Sequence, residues 1–333
     1  MSDRATFLRR AGAGAAGVSL AQLLGPAAAF GSGGGDFPDH PRWRFVLVSH
    51  ETLDPLFVAT QFGAQDAAAL VRCSVQWTGS PKGSVDETVR AFRSAVSGKA
   101  GGIAVSMPET SAFAPVLEDA RQAGIPVVAF NVGAANGRVP YTGPDPTAAG
   151  RRAAKEVVRT VRSGTVLLFA PVDPSSSQEA RLRGAQGGLE RSAPLIRLSG
   201  DLRTQERAVE AAFKQHPGAR GAIALDRAGT VALGNVLKRL GRTLPAGGFD
   251  LLPNDLALVD GGQIAFVVDQ QPYVQGFAPV LQLFLARISE GTVAPWNTET
   301  SIVLRKADVE RLVATKSRFE GSTSRHEYPL RRA

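Results

Sequence analysis

The chain has 333 residues, of which 44% are hydrophobic and 20% are charged. This composition is that of a globular protein, so it excludes a disordered chain and a multispan membrane protein. A single cysteine and four scattered histidines exclude a disulfide framework and a Cys- or His-rich metal site, and no motif indicates a cofactor. The formal net charge of +8 lies mostly at the two ends, with +2 in residues 1–29 and +3 in residues 314–333. Because no basic stripe with aromatic residues is left in the body, a nucleic-acid partner is not predicted.

Residues 1–29 have the pattern of a cleavable export signal. Three arginines precede a weakly apolar segment over residues 11–24, which is too short for a membrane-spanning helix. The start resembles a twin-arginine signal, but Ala5 stands where the second arginine belongs, so Sec and Tat export both fit. No cysteine follows the apolar segment, so a lipoprotein anchor is not expected. Residues 30–41 are predicted to be a glycine-rich linker.

From residue 42 onward, apolar runs alternate with amphipathic helical patterns. In the first half we predict strands at 45–48, 75–77, 103–105 and 127–130, and helices at 57–71, 85–97 and 110–123. Ser84 is predicted to cap the second of these helices, with Glu87 three residues later. In the second half we predict strands at 165–170, 195–198, 222–225, 248–250, 264–268 and 301–304, and helices at 148–161, 178–191, 204–215, 231–240 and 272–289.

Continuous apolar strands that are linked by helices predict parallel sheets covered by helices on both faces. The strands are too many for one sheet at this length, so the predicted fold class is α/β with two doubly wound lobes. In open sheets of this kind, ligands bind in the crevice at the carboxyl ends of the strands. A ligand cleft is therefore expected between the two lobes.

Five short segments carry a resemblance to a known family. They are Asp-Pro-Leu-Phe at 54–57, Gly-Ile-Pro-Val-Val-Ala-Phe-Asn at 124–131, Arg-Leu-Arg-Gly at 181–184, Gly-Phe-Asp at 248–250 and Asp-Gln-Gln-Pro-Tyr-Val-Gln-Gly at 269–276. Each motif is weak alone, but five in this order behind an export signal are specific. From about residue 42 to residue 311, the chain resembles the type I periplasmic solute-binding proteins of ABC transporters, in the ribose/galactose-binding group.

The resemblance implies two lobes that are joined by three hinge crossovers, near residues 131–133, 269–271 and 299–301, and that close on a sugar. It assigns residues 42–132 and 271–300 to an N-terminal lobe and residues 133–270 and 301–315 to a C-terminal lobe, and it leaves 316–333 as a basic tail. The implied protein is a monomer and not an enzyme. It would capture a sugar-class ligand and deliver it to ABC permease and ATPase subunits on other chains.

The resemblance also implies ligand contacts in the second half of the chain. Asp250 would accept hydrogen bonds from two vicinal hydroxyl groups, and its alternative role is a helix N-cap. Gln270, in the second crossover, would bind the ligand or else stabilise the hinge. Arg183 would span two hydroxyl groups or a carboxylate with its planar guanidinium group, and its alternative role is a surface salt bridge. Arg181 is expected to be solvated.

Four further ligand contacts are implied. Asn131 ends a strand where ribose binders have the aspartate of an Asp-Arg pair. Phe57 would stack on a sugar ring, or else it begins the core face of the first helix. Asp54 matches a sugar-contacting asparagine of the family, and its alternative role is a turn before Pro55. Asp226 ends another strand, where the family has Asn or Asp.

The departures from the ribose-type pattern bear on the ligand. Val132 replaces the arginine of the Asp-Arg pair, Leu56 replaces an aromatic residue, and Met107 stands where ribose binders have asparagine. Fewer charged groups predict a hexose, a polyol, or a deoxy or methylated sugar in preference to ribose.

Three other classes of protein share parts of this pattern. An α/β enzyme is disfavoured because the sequence has no G-x-S-x-G elbow, no P-loop and no G-x-G-x-x-G after a strand. A lac-repressor-type regulator would need an N-terminal helix-turn-helix, where this chain has an export signal and a linker. A secreted sugar sensor that passes its ligand to a receptor kinase has the same fold, and the sequence does not separate it from a transport protein.

Overall fold

The apolar runs form two sheets in the computed structural model, which describes residues 37–133, 139–191, 193–250 and 252–315. The first sheet contains β1 (Arg44–Ser49), β2 (Ser74–Gly79), β3 (Gly102–Val105), β4 (Val127–Phe130), β5 (Tyr141–Gly143) and β11 (Thr298–Glu299). Its order is β11-β5-β4-β3-β1-β2, and all neighbouring strands are parallel. The predicted export signal and basic tail lie outside the described residues.

The second sheet contains β6 (Thr165–Pro171), β7 (Leu195–Leu198), β8 (Ala219–Ala224), β9 (Ala246–Phe249), β10 (Phe266–Asp269) and β12 (Ile302–Arg305). Its order is β12-β10-β9-β8-β6-β7. The edge strand β12 is antiparallel to β10, and the other neighbours are parallel.

The connecting segments form helices that cover these sheets. The first lobe consists of the first sheet with α1 (Phe57–Leu70), α2 (Val85–Ser97), a 3₁₀ turn (Thr110–Phe113), α3 (Ala114–Gln122) and α9 (Pro272–Ile288). The second lobe consists of the second sheet with α4 (Pro146–Thr160), α5 (Ser176–Leu189), α6 (Leu202–Gln215), α7 (Arg227–Arg239), α8 (Pro253–Asp260) and α10 (Lys306–Thr315). None of the helices in the described ranges is both long and apolar enough to cross a membrane.

Each sheet separates two buried apolar clusters. In β1, Phe45 and Leu47 belong to one cluster and Val46 and Val48 to the other, because successive side chains of a strand point to opposite faces. The second sheet is likewise covered on both faces. The prediction of two doubly wound α/β lobes is confirmed.

The strand pairing places the first crossover later than the sequence predicted. The backbone N–H of Asn131 donates to the carbonyl oxygen of Thr142 at 3.1 Å, so β5 extends the first sheet. The chain therefore leaves the first lobe after Gly143 and not near residues 131–133. A strand of three residues is too short to show a periodicity in the sequence. The other passages between the sheets lie at residues 270–271 and 300–301.

Ser84 caps α2, as predicted, because its hydroxyl accepts a hydrogen bond from the backbone N–H of Glu87 at 3.3 Å. The Glu87 side chain instead accepts from the Ser80 hydroxyl at 2.7 Å. A reciprocal capping box is found at α5, between Ser175 and Gln178. These caps satisfy backbone donors that have no partner inside the helix.

One pair of helices in each lobe packs backbone against backbone. In the first lobe, α1 and α9 approach through Gly63 and Gly276, and in the second lobe α4 and α5 approach through Gly150 and Gly184. A Cβ atom at any of these four glycines would overlap a backbone carbonyl oxygen of the facing helix. Both lobes therefore contain one pair of helices that pack closely through glycines.

Candidate functional site

Polar residues lie at the carboxyl ends of strands in both sheets. Asn131 follows β4, Asp250 follows β9 and Gln270 follows β10, and their exposed fractions are only 6%, 8% and 6%. In α/β sheets the carboxyl ends of parallel strands form the ligand crevice. We call the space between the strand ends of the two lobes the cleft.

The backbone is unusual at these strand ends. Asn131, Asp250 and Gln271 have φ angles of 61°, 75° and 51°, in the left-handed region that non-glycine residues rarely adopt. Each such residue costs about 1–3 kcal/mol, and residues of this kind cluster at ligand sites. The surrounding fold must therefore stabilise the backbone at these three strand ends.

A chain of hydrogen bonds joins Asn131 to Asp250 through the second crossover. The Asn131 Nδ2 donates to Gln275 Oε1 at 3.0 Å, and Gln275 Nε2 donates to the carbonyl oxygen of Gln270 at 2.7 Å. The Gln270 Nε2 in turn donates to the Asp250 carboxylate. Gln270 therefore bonds to Gln275 of α9 and to a strand-end carboxylate, which supports its role in stabilising the second crossover.

The other crossovers join the same network. The Tyr141 hydroxyl lies 2.6 Å from the carbonyl oxygen of Asn131 and 3.0 Å from that of Pro144, in the first crossover. Burial raises the pKa of Tyr141 far above its usual range, so the phenol keeps its proton and donates. The Thr300 hydroxyl, in the third crossover, donates to the carbonyl oxygen of Gln270 at 2.6 Å.

Arg181 and not Arg183 is the arginine that lies within the fold. Arg181 is 7% exposed, its Nη1 donates to the carbonyl oxygen of Leu225 at 3.3 Å, and its guanidinium carbon lies 4.5 Å from the centre of the Phe249 ring. Its Nε has no hydrogen-bond partner among the described residues. Arg183 is exposed, because residues two positions apart on a helix point in nearly opposite directions. The expectation that Arg181 is solvated was wrong.

Three carboxyl groups surround Arg181 and the second crossover. Burial raises the pKa of Asp226, the Asp250 charge raises it further, and Arg181 opposes the shift. Burial, supported by Asp250, raises the pKa of Asp269 to about 7, and Asp269 Oδ1 has no partner within the described part of the chain. Buried polar atoms without partners are rare in folded proteins. Arg181 Nε and Asp269 Oδ1 are therefore candidates for contact with a solute or with water.

The end of β1 in the first lobe carries a histidine that is neutral near pH 7. His50 follows β1, and its Nδ1 lies 2.6 Å from the Ser106 hydroxyl. Burial lowers the pKa of His50 to about 4, so the imidazole is neutral near pH 7. Phe57 is 2% exposed and packs among the rings of His50, Trp77 and Phe130. It belongs to the core, which is the alternative that the sequence left open, and its stacking on a sugar ring is not supported.

Asp54 and Asp226 both carry local backbone contacts. Asp54 Oδ1 accepts from the backbone N–H of Leu56 at 2.9 Å and from Arg227 Nη1 at 3.2 Å. Asp226 caps α7, with Oδ1 accepting from the backbone N–H of Gly229 at 3.3 Å. Asp54 therefore stabilises the turn before α1, and Asp226 caps α7. The turn is the alternative role that the sequence offered for Asp54.

A cavity of about 480 Å³ opens beside the crossovers. Its walls come from the first lobe, the start of α5 and the first and third crossovers, and they include Met107, Asn131, Tyr141, Ser177 and Glu299. The volume is in the range of small-molecule sites. Asn131 borders both this cavity and the hydrogen-bond network, whereas Asp250, Gln270 and Arg181 do not line the cavity.

The arrangement suits recognition of hydroxyl groups. It combines a carboxylate that accepts, a guanidinium group that donates, and amide side chains that do both. Within the described ranges, no group of three or more His, Cys, Asp or Glu side chains could hold a metal ion. Sequence reasoning missed Arg181, Gln275 and Tyr141. Helical spacing within the Arg-Leu-Arg-Gly segment was a usable signal for Arg181, because only one of two arginines two residues apart can face the sheet.

Two α/β lobes with buried polar strand ends and three crossovers have the architecture of two-lobe solute-binding proteins. Residues 45–287 match the model of the periplasmic binding protein domain family, and the chain belongs to this family. The family is one of binding proteins and implies export, which agrees with the predictions of a non-enzymatic, exported protein.

Two relatives illustrate the similarity. The xylose/arabinose-binding protein XylF of Sulfolobus acidocaldarius is 34% identical over 315 residues, which cover 88% of this chain and 78% of that protein. The arabinose-binding protein AraP of Geobacillus stearothermophilus has a similar fold, with a TM-score of 0.71 and 22% identity over 81% of this chain and 99% of that one.

A carbohydrate transporter from Acidothermus cellulolyticus, solved with myo-inositol, matches with a TM-score of 0.70 and 25% identity. The match covers 84% of this chain and 100% of that one. The predicted resemblance to sugar-binding proteins of ABC transporters is confirmed by these matches.

Proposed function

We propose that this chain binds a neutral monosaccharide or cyclic polyol between its lobes and delivers it to an ABC permease. The observation that carries the proposal is the hydrogen-bonded path from Asn131 through Gln275 and Gln270 to Asp250. It connects strand ends of both lobes through a crossover, so a solute held at the strand ends would couple its binding to hinge closure.

The second lobe supplies the charged hydrogen-bonding groups of the proposed site. Asp250 and Asp226 accept hydrogen bonds from hydroxyl groups, and the unpartnered Nε of Arg181 is available to donate one. Asn131 of the first lobe and Gln270 of the second crossover add amide groups, which both donate and accept hydrogen bonds. Arg181 takes the place that the sequence assigned to Arg183.

The relatives direct the choice of solute. XylF is named for xylose and arabinose, and the myo-inositol complex shows a cyclic polyol in a protein of similar fold. We therefore place aldopentoses beside the predicted hexoses and polyols, and we keep the prediction that ribose is not the best ligand. Delivery to permease and ATPase subunits, the monomeric state and a Sec or Tat signal are parts of the same proposal.

The test is thermal unfolding of the chain after it has been unfolded and refolded to remove bound solute. The panel contains D-xylose, L-arabinose, D-ribose, D-glucose, D-galactose and myo-inositol. A solute that binds only the folded state stabilises it by about 2.7 kcal/mol at a hundredfold excess over its Kd. We expect at least one sugar or polyol other than ribose to raise the Tm most.

Asp250→Ala should abolish that shift at the same solute concentration, because hydrogen bonds to a charged group contribute about 1.5–3 kcal/mol each. Asp260→Ala is the matched control, since Asp260 is exposed at the end of α8. A panel in which no solute raises the Tm would contradict the proposed function. An equal Tm shift in wild type and in Asp250→Ala would contradict the proposed site.

A further inference from the structure

The lobes touch on the side of the cleft that lies away from the crossovers. Asp54 follows β1 in the first lobe, and Arg227 begins α7 in the second lobe. The Asp54 Oδ1 and Arg227 Nη1 atoms are 3.2 Å apart, and the side chains are 24% and 38% exposed. In the first sheet, β3 and β4 separate β1 from the crossover strand β5, so this ion pair does not lie at the hinge.

The Asp54 side chain is held by the backbone, and Arg227 lies at the start of a capped helix. The Asp54 side chain accepts from the N–H of Leu56 at 2.9 Å, and the Asp54 carbonyl oxygen accepts from the N–H of Phe57 at 3.0 Å. Arg227 directly follows Asp226, which caps α7. Since the Asp54 carboxylate is already fixed, the ion pair loses side-chain entropy mainly from Arg227, which is less than a pair of two free surface residues loses.

Arg227 faces a second carboxylate of the first lobe. Burial and the Asp54 charge raise the pKa of Glu51, and the Arg227 charge lowers it. Two acidic side chains of one lobe therefore lie in the field of one cation of the other lobe. The negative charges of Glu51 and Asp54 destabilise each other. The positive charge of Arg227 offsets this repulsion, and it does so most when the lobes are close.

The position of the pair distinguishes it from the other ion pair between the lobes. Arg152 of α4 contacts Glu299 of β11 at 2.8 Å, next to the third crossover, where the lobes are covalently joined. Of the ion pairs between described residues, only Asp54–Arg227 spans the cleft away from the crossovers, so opening of the hinge must separate it.

We propose that Asp54 and Arg227 form an electrostatic latch that favours the closed cleft before a solute binds, and that Asp54 acts through this latch and not as a solute contact. The inference rests on the proposed function only in assuming that the lobes open and close. Because it concerns the solute-free chain, it is tested without any sugar.

The test measures the distance between the lobes by pulsed electron paramagnetic resonance. Spin labels are placed on Lys82→Cys in the first lobe and Leu202→Cys in the second, both at exposed positions. Cys73 is buried, and its thiol pKa is raised by burial, so it is a poor labelling site. In low salt we expect a measurable population at the short distance, and Arg227→Ala to lower the ratio of short to long distances about two- to fivefold.

Asp54→Asn isolates the charge, because the amide oxygen can still accept from the N–H of Leu56. It should act in the same direction as Arg227→Ala. Arg239→Ala is the matched control, since Arg239 ends the same helix and pairs with Glu206 and Glu210 inside the second lobe. It should leave the distances unchanged.

Salt supplies an independent readout. Raising the ionic strength from about 0.02 M to 0.5 M should shift the wild-type distribution toward that of Arg227→Ala, because exposed charges are screened, and should barely affect the variant. Unchanged distances in Arg227→Ala, an equal change in Arg239→Ala, or an equal salt effect in wild type and Arg227→Ala would overturn the latch. None of these outcomes bears on whether the chain binds a sugar.

Discussion

The two lobes share a fold but direct their charges differently. In the second lobe, Arg181, Asp226 and Asp250 are clustered at the strand ends, where burial and mutual charge shift the pKa of Asp226. In the first lobe, the strand ends in the cleft carry Asn131 and the neutral His50, while the acidic Asp54 pairs with the opposite lobe. From this comparison we predict that the second lobe contributes most of the solute affinity, and that closure depends on the Asp54–Arg227 pair between the lobes.

The largest effect that tests this comparison is on solute affinity. Arg181→Ala should weaken binding of the solute identified in the panel by about 10- to 150-fold, because it removes a charged donor from a buried site. Asn131→Ala should cost less, about 2- to 10-fold, since Asn131 is neutral. Isothermal titration calorimetry measures both losses.

Arg183→Ala is the control for Arg181→Ala, because it removes the same side chain two residues away on an exposed part of α5. It should bind as wild type. A larger loss in Arg183→Ala than in Arg181→Ala would restore the assignment made from the sequence, and a larger loss in Asn131→Ala would reverse the comparison of the lobes.

The next effect is on the free energy of unfolding, and it tests the close glycine contact between two helices that both lobes share. Gly184→Ala places a methyl group against the carbonyl oxygen of Thr147, so α4 and α5 must separate, at a cost of about 1–3 kcal/mol. Gly187→Ala on the same helix meets no atom within 4 Å and should stabilise the chain by up to about 1 kcal/mol, because alanine favours helix. Urea unfolding measures both free energies.

Gly276→Ala makes the equivalent change in the first lobe, where the added methyl group would overlap the carbonyl oxygen of Thr60. If the two lobes use glycine in the same way, the loss should be similar to that in Gly184→Ala. Equal stability of Gly184→Ala and Gly187→Ala would show that the helices separate without cost.

The third effect is on the pH dependence of stability, where one group of each lobe contributes and the two contributions oppose each other, so that the net slope is small. Asp269 has a folded pKa of about 7, so between about pH 4 and 7 the folded state holds a proton that the unfolded state has released. The free energy of unfolding therefore falls as pH rises, by at most about 1.4 kcal/mol per pH unit. His50 has a folded pKa of about 4, so between about pH 4 and 6.5 the unfolded state holds the extra proton, and stability rises with pH.

Asp269→Asn removes the falling contribution, so stability should rise more steeply with pH between pH 4 and 6.5 than in wild type. His50→Asn removes the rising contribution and should have the opposite effect. Thermal unfolding in a pH series measures both slopes, and identical slopes in Asp269→Asn and wild type would show that Asp269 does not hold a proton in the folded state.

Local patterns in the sequence determined the fold class and the family. Apolar runs and helical spacing indicated most strands and helices, since these depend on neighbouring residues, and five short motifs in order were sufficient for the resemblance. Asp250, Gln270 and Asn131 were assigned by the family resemblance. Each of them ends or follows a predicted strand, which agrees with a position at the edge of the sheet.

Only the tertiary structure decided which side chains are buried and which residues meet across the lobes. Tyr141–Gly143 is a strand because β4 provides a partner, and Phe57 is core because Trp77 and Phe130 surround it. The choice between Arg181 and Arg183 depends on which face of α5 packs on the sheet. Asp54 and Arg227 are 173 residues apart in the chain, and their contact depends on the relative placement of the two lobes, which no local pattern encodes.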